Sequence, residues 1–403
     1  MPKTRIAVAV LVLLAALTAA AFAGPGEPVL QVDAGFGRHG LVSHPNLVPG
    51  FEEVAAIAVA PGSTIYAAGE SPAEPGTVVI GHFWRDGEPE ISFGNRGFAT
   101  LPGLGPVNAL TTDNAGHLIV LSQRTTITRL TAGGQPNPSF GSDGSVQMAD
   151  LGLESLHLWS LAFLPSGSIA AAGITFGGPQ MTVVQLRGDG SLDHSFNGSG
   201  TAAVGFGAGT NSGAFQLELQ PDGKLLLGGY AANRPALARL LVDGSVDRGF
   251  GRSGRVIAPR SLHGRITALT VRRNGSILAG ASGSTRRGAG SRALLLRYSG
   301  AGRLDRGFGA IAAPARRDGG QAIPIAVLRA RRHIFMATRG RGPVIRAYRL
   351  SGQPLSLGHV PGVPVDRRFH VDAAPQLRDL VLAWTPRHAP GEGVVDLRRF
   401  LLR

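Results

Sequence analysis

The chain of 403 residues has no cysteine, has lysine only at positions 3 and 224, and has few aromatic residues, 6% in all. Without cysteine there can be no disulfide, thiolate nucleophile, Cys-ligated zinc or iron–sulfur cluster, so stability has to come from packing. No segment sustains a helical period, and 59 Gly and 27 Pro exclude a bundle of long helices. The aromatic residues are not interleaved with the arginines along the chain, so base stacking and specific nucleic-acid recognition are not expected. What is present is a hydrophobic share of 43%, enough for a large core.

The formal net charge is +14, unevenly spread. Residues 1–230 hold 9 Lys+Arg against 17 Asp+Glu, and residues 231–403 hold 31 against 9. Residues 1–23 read as a signal peptide. Lys3 and Arg5 precede an apolar stretch over 6–20, and Ala21, Phe22 and Ala23 supply a small-x-small cleavage pattern before Gly24. The alternative is an uncleaved anchor, since the stretch is close to the lower limit for crossing a bilayer. The expected product is exported, extracellular or envelope-associated, with no transmembrane span in its mature part.

One phrase recurs through the chain. It reads GDGSLDHSFNGSG at 188–200, VDGSVDRGFGRSG at 242–254 and GAGRLDRGFGA at 300–310, with weaker copies at 32–40, 86–97, 133–144 and 353–358. Its aromatic residue is Phe36, Phe93, Phe140, Phe196, Phe250 or Phe308, with Leu357 in the same place, at steps of 57, 47, 56, 54, 58 and 49 residues. Between the copies lie paired strand-like runs joined by Asp-Gly or Asn-Gly, as in FQLELQPDGKLLLGGY at 215–230 and ITALTVRRNGSILAGAS at 266–282. Such a turn between two apolar runs signals a hairpin.

A third run follows each hairpin and a short one follows each Phe-Gly, giving four strands in about 54 residues. The expected fold is all-β: a seven-bladed β-propeller of four-stranded repeats, a single domain over 24–403. The last strand-like run, 393–402, stops without its Phe phrase, and residues 30–37 supply one at the other end. Pairing of the N- and C-terminal segments is therefore expected to close the ring. At these phrases the sequence resembles the bacterial delta-60 repeat proteins. The resemblance implies an exported or surface β-propeller without a common activity, and brings no catalytic residues.

The chemistry-bearing candidates mostly have structural explanations. Asp189 with Asp193, and Asp243 with Asp247, have the alternating spacing of a calcium loop. Neither pair has a closing glutamate, and Asp before Gly is what a tight turn needs. The recurring Phe is expected to plug the junction between blades, with Gly letting the chain turn. His117 and His333 hold matching positions in two units, but two imidazoles without carboxylates do not make a metal site. No nucleophile elbow or phosphate loop occurs, so neither cofactor nor metal is expected and the catalytic residues are unknown.

The least repetitive feature is the set of arginine pairs. Arg272 with Arg273, Arg286 with Arg287, Arg316 with Arg317, and Arg331 with Arg332 are the candidate polyanion-binding residues, and further pairs stand at 367–368 and 398–399. The expectation is a monomeric, non-enzymatic binding or scaffold module whose partner is a protein or an anionic envelope polymer. The alternative is a propeller-type hydrolase or lyase with its site at the channel mouth.

Overall fold

The computed structural model describes residues 30–402, apart from 34, 39–40, 46–52, 61–63, 72–73, 273, 285–291, 313–322, 331–332, 340–343, 356–372, 375–378 and 385–393. The expected signal peptide and Leu357 lie outside the described residues. Among those residues the elements are strands, apart from one turn of 3-10 helix at Met148–Leu151.

Six four-stranded antiparallel sheets follow one another, each with its strands side by side in chain order. Sheets 1 to 6 begin at Glu53–Val59, Val107–Thr112, Leu156–Phe163, Ser212–Leu219, His263–Val271 and Ile323–Ala330. A terminal sheet joins Ala373–Ala374, Asp379–Trp384 and Val394–Leu402 to Leu30–Val32 and Leu41–Pro45, both of which pair with Val394–Leu402. The first strand of each sheet touches the first strand of the next from sheet 1 to sheet 6. Ala373–Ala374 touches the first strands of sheets 6 and 1. First strands are thus innermost.

The middle strands are apolar on both sides because both sides are covered. Ile277–Ser284 is buried at every position, and Leu225–Ala231 at all but Tyr230. Each cluster of buried residues spans two sheets: Ala170, Ala172, Met181 and Val183 of sheet 3 pack with Leu217, Leu225, Leu227 and Ala236 of sheet 4. At roughly 1.5–3 kcal/mol for each large aliphatic side chain removed from water, cohesion resides between sheets more than within them.

The recurring Phe sits between the third and fourth strands of a sheet and reaches the sheet that follows. Phe93, Phe140, Phe196 and Phe250 are almost wholly buried. A Cβ on Gly244 would lie 2.9 Å from the Phe196 ring, and one on Gly302 would lie 2.8 Å from Phe250. The residue after Phe turns back with positive φ, 57° at Gly94 and 52° at Asn197, and its N–H donates to the next sheet. These bonds run from Gly94 to Gly133 (2.9 Å), Gly141 to Asp189 (2.8 Å), Asn197 to Asp243 (2.6 Å) and Gly251 to Ala301 (2.8 Å). Gly37 makes the same bond from the terminal sheet to Asp86 of sheet 1 (2.6 Å).

In these hairpin turns glycine, not Asp, takes a positive φ. In the turn 220–224 only Gly223 does, at 81°. The Asp222 carboxylate instead accepts the Lys224 N–H. An Asp that caps the backbone two residues on can keep its ordinary φ, leaving the left-handed step to glycine.

Candidate binding rim

Chain order gives the sheets two unlike rims. Connections between first and second strands, and between third and fourth, form one rim, where the Asp-Gly turns gather. Connections between second and third strands, and those leading to the next sheet, form the opposite rim.

At the turn rim the aspartates are committed. Asp189 and Asp243 accept the N–H and hydroxyl of Ser191 and Ser245, which hold both carboxyls below the usual range. Asp193 accepts Ser195 Oγ at 2.6 Å and Gln185 Nε2 at 2.8 Å, and these bonds lower it too. Burial works against ionisation of Asp247, but the Arg239 guanidinium 2.8 Å away, the Gly249 N–H and the Lys224 ammonium together hold its carboxyl below the usual range. Both calcium-like pairs are therefore turn staples, and no group of three or more possible metal ligands occurs among the described residues.

The third-strand residue eight positions before each motif Asp completes a repeated joint. Arg239 binds Asp247 and donates through Nη1 to Gly300 O of the next sheet at 2.6 Å. Arg297 binds Asp305 and donates through Nη1 to Leu350 O. Both guanidiniums lie 4.4 Å from the centre of the motif Phe ring, Phe250 or Phe308. In sheet 2, Arg129 reaches Gly188 O at 3.1 Å and Asp113 at 2.8 Å, and Asp113 also holds His117 Nδ1 at 3.0 Å. That places His117 at a turn. His333 begins the second strand of its sheet, with its ring 6.4 Å from Phe335.

The opposite rim is built differently. The register of each first strand slips by one residue near its start, at Ala55, Asn108, Trp159, Phe215, Thr267 and Ile325 in sheets 1 to 6. A bulge re-aims the extra side chain and leaves it out of the ladder. The first five of these residues are half-buried. The fold fixes their place but not their identity, which separates them from the repeated Phe.

Around this bulge rim the residues meet in an arc. Arg124 N donates to Asn108 Oδ1 at 2.6 Å, and the Arg124 guanidinium lies 3.9 Å from the centre of the Trp159 ring. Trp159 and Phe215 are 5.1 Å apart, Phe215 and Tyr230 are 6.0 Å apart, and Arg265 lies 4.8 Å from Phe215. Arginine and aromatic residues separated in sequence thus come together in space, which corrects the premise drawn from their lack of interleaving. Strand pairing brought them together, and no local motif announced it.

Charge on this rim changes sign around the molecule. Beside sheets 1 to 3 stand Glu70, Glu74, Asp150 and Glu154. Connections 205–211, 232–233 and 258–262 and the strand ends beside them carry Arg234, Arg260, Arg265 and Arg292, with no acidic residue.

Of the eight arginines singled out from sequence, only Arg272 is described. It opens a first-to-second-strand turn, with its N–H bonded to Ser276 O at 2.9 Å. Arg273, Arg286, Arg287, Arg316, Arg317, Arg331 and Arg332 lie outside the described residues. Strands flanking 286–287 end and begin at the bulge rim, and strands flanking 331–332 meet at the turn rim.

Two titratable groups, His82, which is buried, and Glu218, which is half-buried, carry no sequence signal. Burial holds His82 down to about 4, and burial pushes Glu218, on an innermost strand, up to about 7.

The all-β sheets and innermost first strands are those of a β-propeller, and comparison with solved structures gives the same class. Sqt1 of Saccharomyces cerevisiae is 11% identical with a TM-score of 0.51, covering 89% of this chain and 97% of that one. The WD40 β-propeller domain of Doa1 is 12% identical with a TM-score of 0.51, covering 94% and 97%. At these identities the likeness concerns the fold alone. A family described as a domain of unknown function, DUF5122 beta-propeller, matches residues 164–196 and 220–250, which fall in sheets 3 and 4. No curated protein matches. Among the described residues, no helix is long and apolar enough to cross a membrane.

Proposed function

We propose that this chain is an exported, closed, seven-bladed propeller of the delta-60 repeat kind that serves as a binding or scaffold module at the cell surface. It contacts anionic polymers through its arginine-rich second half. Pairing of Leu41–Pro45 with Val394–Leu402, and the contact of Ala373–Ala374 with the first strands of sheets 1 and 6, support closure. The observation that carries the binding role is the acid-free run of Arg234, Arg260, Arg265 and Arg292 on the bulge rim. Like charges kept together without counter-charges raise the local concentration of a polyanion.

The test is binding to immobilised polyphosphate and polygalacturonate at low and high salt. Charge reversal of Arg260, Arg265 and Arg292 to Glu should cost about tenfold or more in affinity and flatten the salt dependence. The same reversal of Arg187 and Arg252, on the turn rim, should cost little. Equal losses from both sets would sink the reading. One observation favours the alternative hydrolase or lyase: Glu218 is a carboxyl near the axis that titrates near neutrality, as a general acid or base does. Glu218→Gln abolishing a measurable hydrolytic or eliminative activity would establish that reading.

A further inference from the structure

Within the bulge rim, the arc from Arg124 to Arg265 has features that a plain basic patch lacks. Each guanidinium rests its flat face on a ring, at 3.9 Å from Trp159 and 4.8 Å from Phe215. A guanidinium stacked in this way keeps its in-plane N–H donors at its edge, and both arginines are exposed. Neither side chain has a hydrogen-bond or ion-pair partner among the described residues. By contrast Arg239 and Arg297, stacked on Phe250 and Phe308 at the other rim, spend their donors on aspartates and carbonyls. The same stacking is thus used twice, once to lock two sheets together and once with the donors left open.

The groups between the two guanidiniums are neutral and mixed. Trp159 Nε1 is a buried donor with no partner among the described residues, and the Tyr230 ring lies 6.0 Å beyond Phe215. The edges of Trp159 and Phe215 add apolar surface. A chain of phosphates offers only acceptor oxygens to such a surface. A chain of sugar rings with a carboxylate on each unit offers C–H faces to the aromatic surface and a planar carboxylate to each guanidinium fork.

We propose that this arc is a binding site for a uronate-bearing polysaccharide, with Arg124 and Arg265 each taking a carboxylate and the Trp159–Phe215 pair supporting the sugar between them. This rests on the polyanion reading of the rim, narrows it to one polymer class and extends it from Arg265, in the arginine-rich half, to Arg124, on the part of the rim that carries Asp150 and Glu154.

The test titrates the full chain with oligogalacturonate and with polyphosphate of matched charge, followed by tryptophan fluorescence and calorimetry. The wild type should prefer the galacturonate by about tenfold or more, and Arg124→Gln with Arg265→Gln should remove that preference. Both arginines are exposed, so this variant tests the site without disturbing the core. Trp159→Leu, which removes the ring beneath Arg124, should weaken the galacturonate by about threefold to tenfold and leave polyphosphate within about twofold. Equal affinity for the two polymers, unchanged in both variants, would overturn the saccharide assignment while the polyanion reading stood. Failure of the wild type to bind either polymer would overturn both.

Discussion

Replacing Arg239 by Met tests whether the third-strand arginines hold adjacent sheets together. Arg239 and Asp247 are each under a tenth exposed. The substitution removes the 2.8 Å bond to Asp247, the 2.6 Å bond to Gly300 O and the cation over Phe250, while keeping most of the side-chain volume. Losing one partner of a buried ion pair costs about 3–5 kcal/mol, because the other charge stays buried. Lys224 Nζ, 3.5 Å from Asp247, remains as a partial counter-charge, so the lower end, about 3 kcal/mol, is expected. The chain contains its own control. In sheet 3 the same place holds Gln185, which donates to Asp193 at 2.8 Å without an arginine. Arg239→Gln should therefore keep the bond to Asp247, lose the bond to Gly300 and cost about 1–2 kcal/mol. Equilibrium denaturation measures both, and hydrogen exchange at 299–303 shows whether the next sheet's turn loosens first. A loss below about 1 kcal/mol for Arg239→Met would mean that the pair behaves as a surface ion pair and ties nothing.

His82 and Glu218 should pull the pH dependence of stability in opposite directions. His82 takes its proton more readily unfolded, at about 6.5, than folded, at about 4, so stability falls as pH drops through that window. At pH 5 this loss comes to about 2 kcal/mol and is absent in His82→Phe. Glu218 is raised to about 7, so its folded form holds a proton that the unfolded chain releases, and stability falls as pH rises from the ordinary carboxyl range towards 7. Glu218→Gln should remove that fall, and denaturant midpoints measured across pH 4.5 to 7.5 would show both slopes. Phe196→Ala empties the plug between sheets 3 and 4 and should cost about 3–5 kcal/mol by denaturation; a loss near 1 would show that the junction recloses. Deleting residues 30–45 strips two strands from the edge of Val394–Leu402, and light scattering should report concentration-dependent aggregation.

What could be read from the sequence was whatever the fold needs at every junction. Phe196, Phe250 and their equivalents recur because each plugs the same gap, and Asp193 and Asp247 recur because each caps the same turn. A one-dimensional pattern carries such features well. The bulged start of each first strand was illegible for the opposite reason. Asn108, Trp159 and Phe215 share a position but no chemistry, and the bulge that sets it leaves no residue signature. Arg124 meets Trp159 only because strands of neighbouring sheets lie side by side. The third-strand partner was half legible: Arg239 and Arg297 stand eight residues before their aspartates, but Gln185 and His82 break the series. His82 and Glu218 owe their shifted protonation to burial, which spacing does not encode.

The ties made by the Phe phrase and by the third-strand arginines all point the same way, from each sheet to the one that follows it in the chain. At the opposite rim the bonds run the other way: Leu158 N donates to Arg124 O (2.7 Å) and Gly264 N to Asn233 O (2.8 Å) of the preceding sheet, so each of these junctions is fastened from both sides. The Gly37 bond to Asp86 belongs to the one sheet that draws strands from both ends of the described residues. Leu30–Val32 and Leu41–Pro45 therefore gain their partner, Val394–Leu402, only after the six intervening sheets have been synthesised.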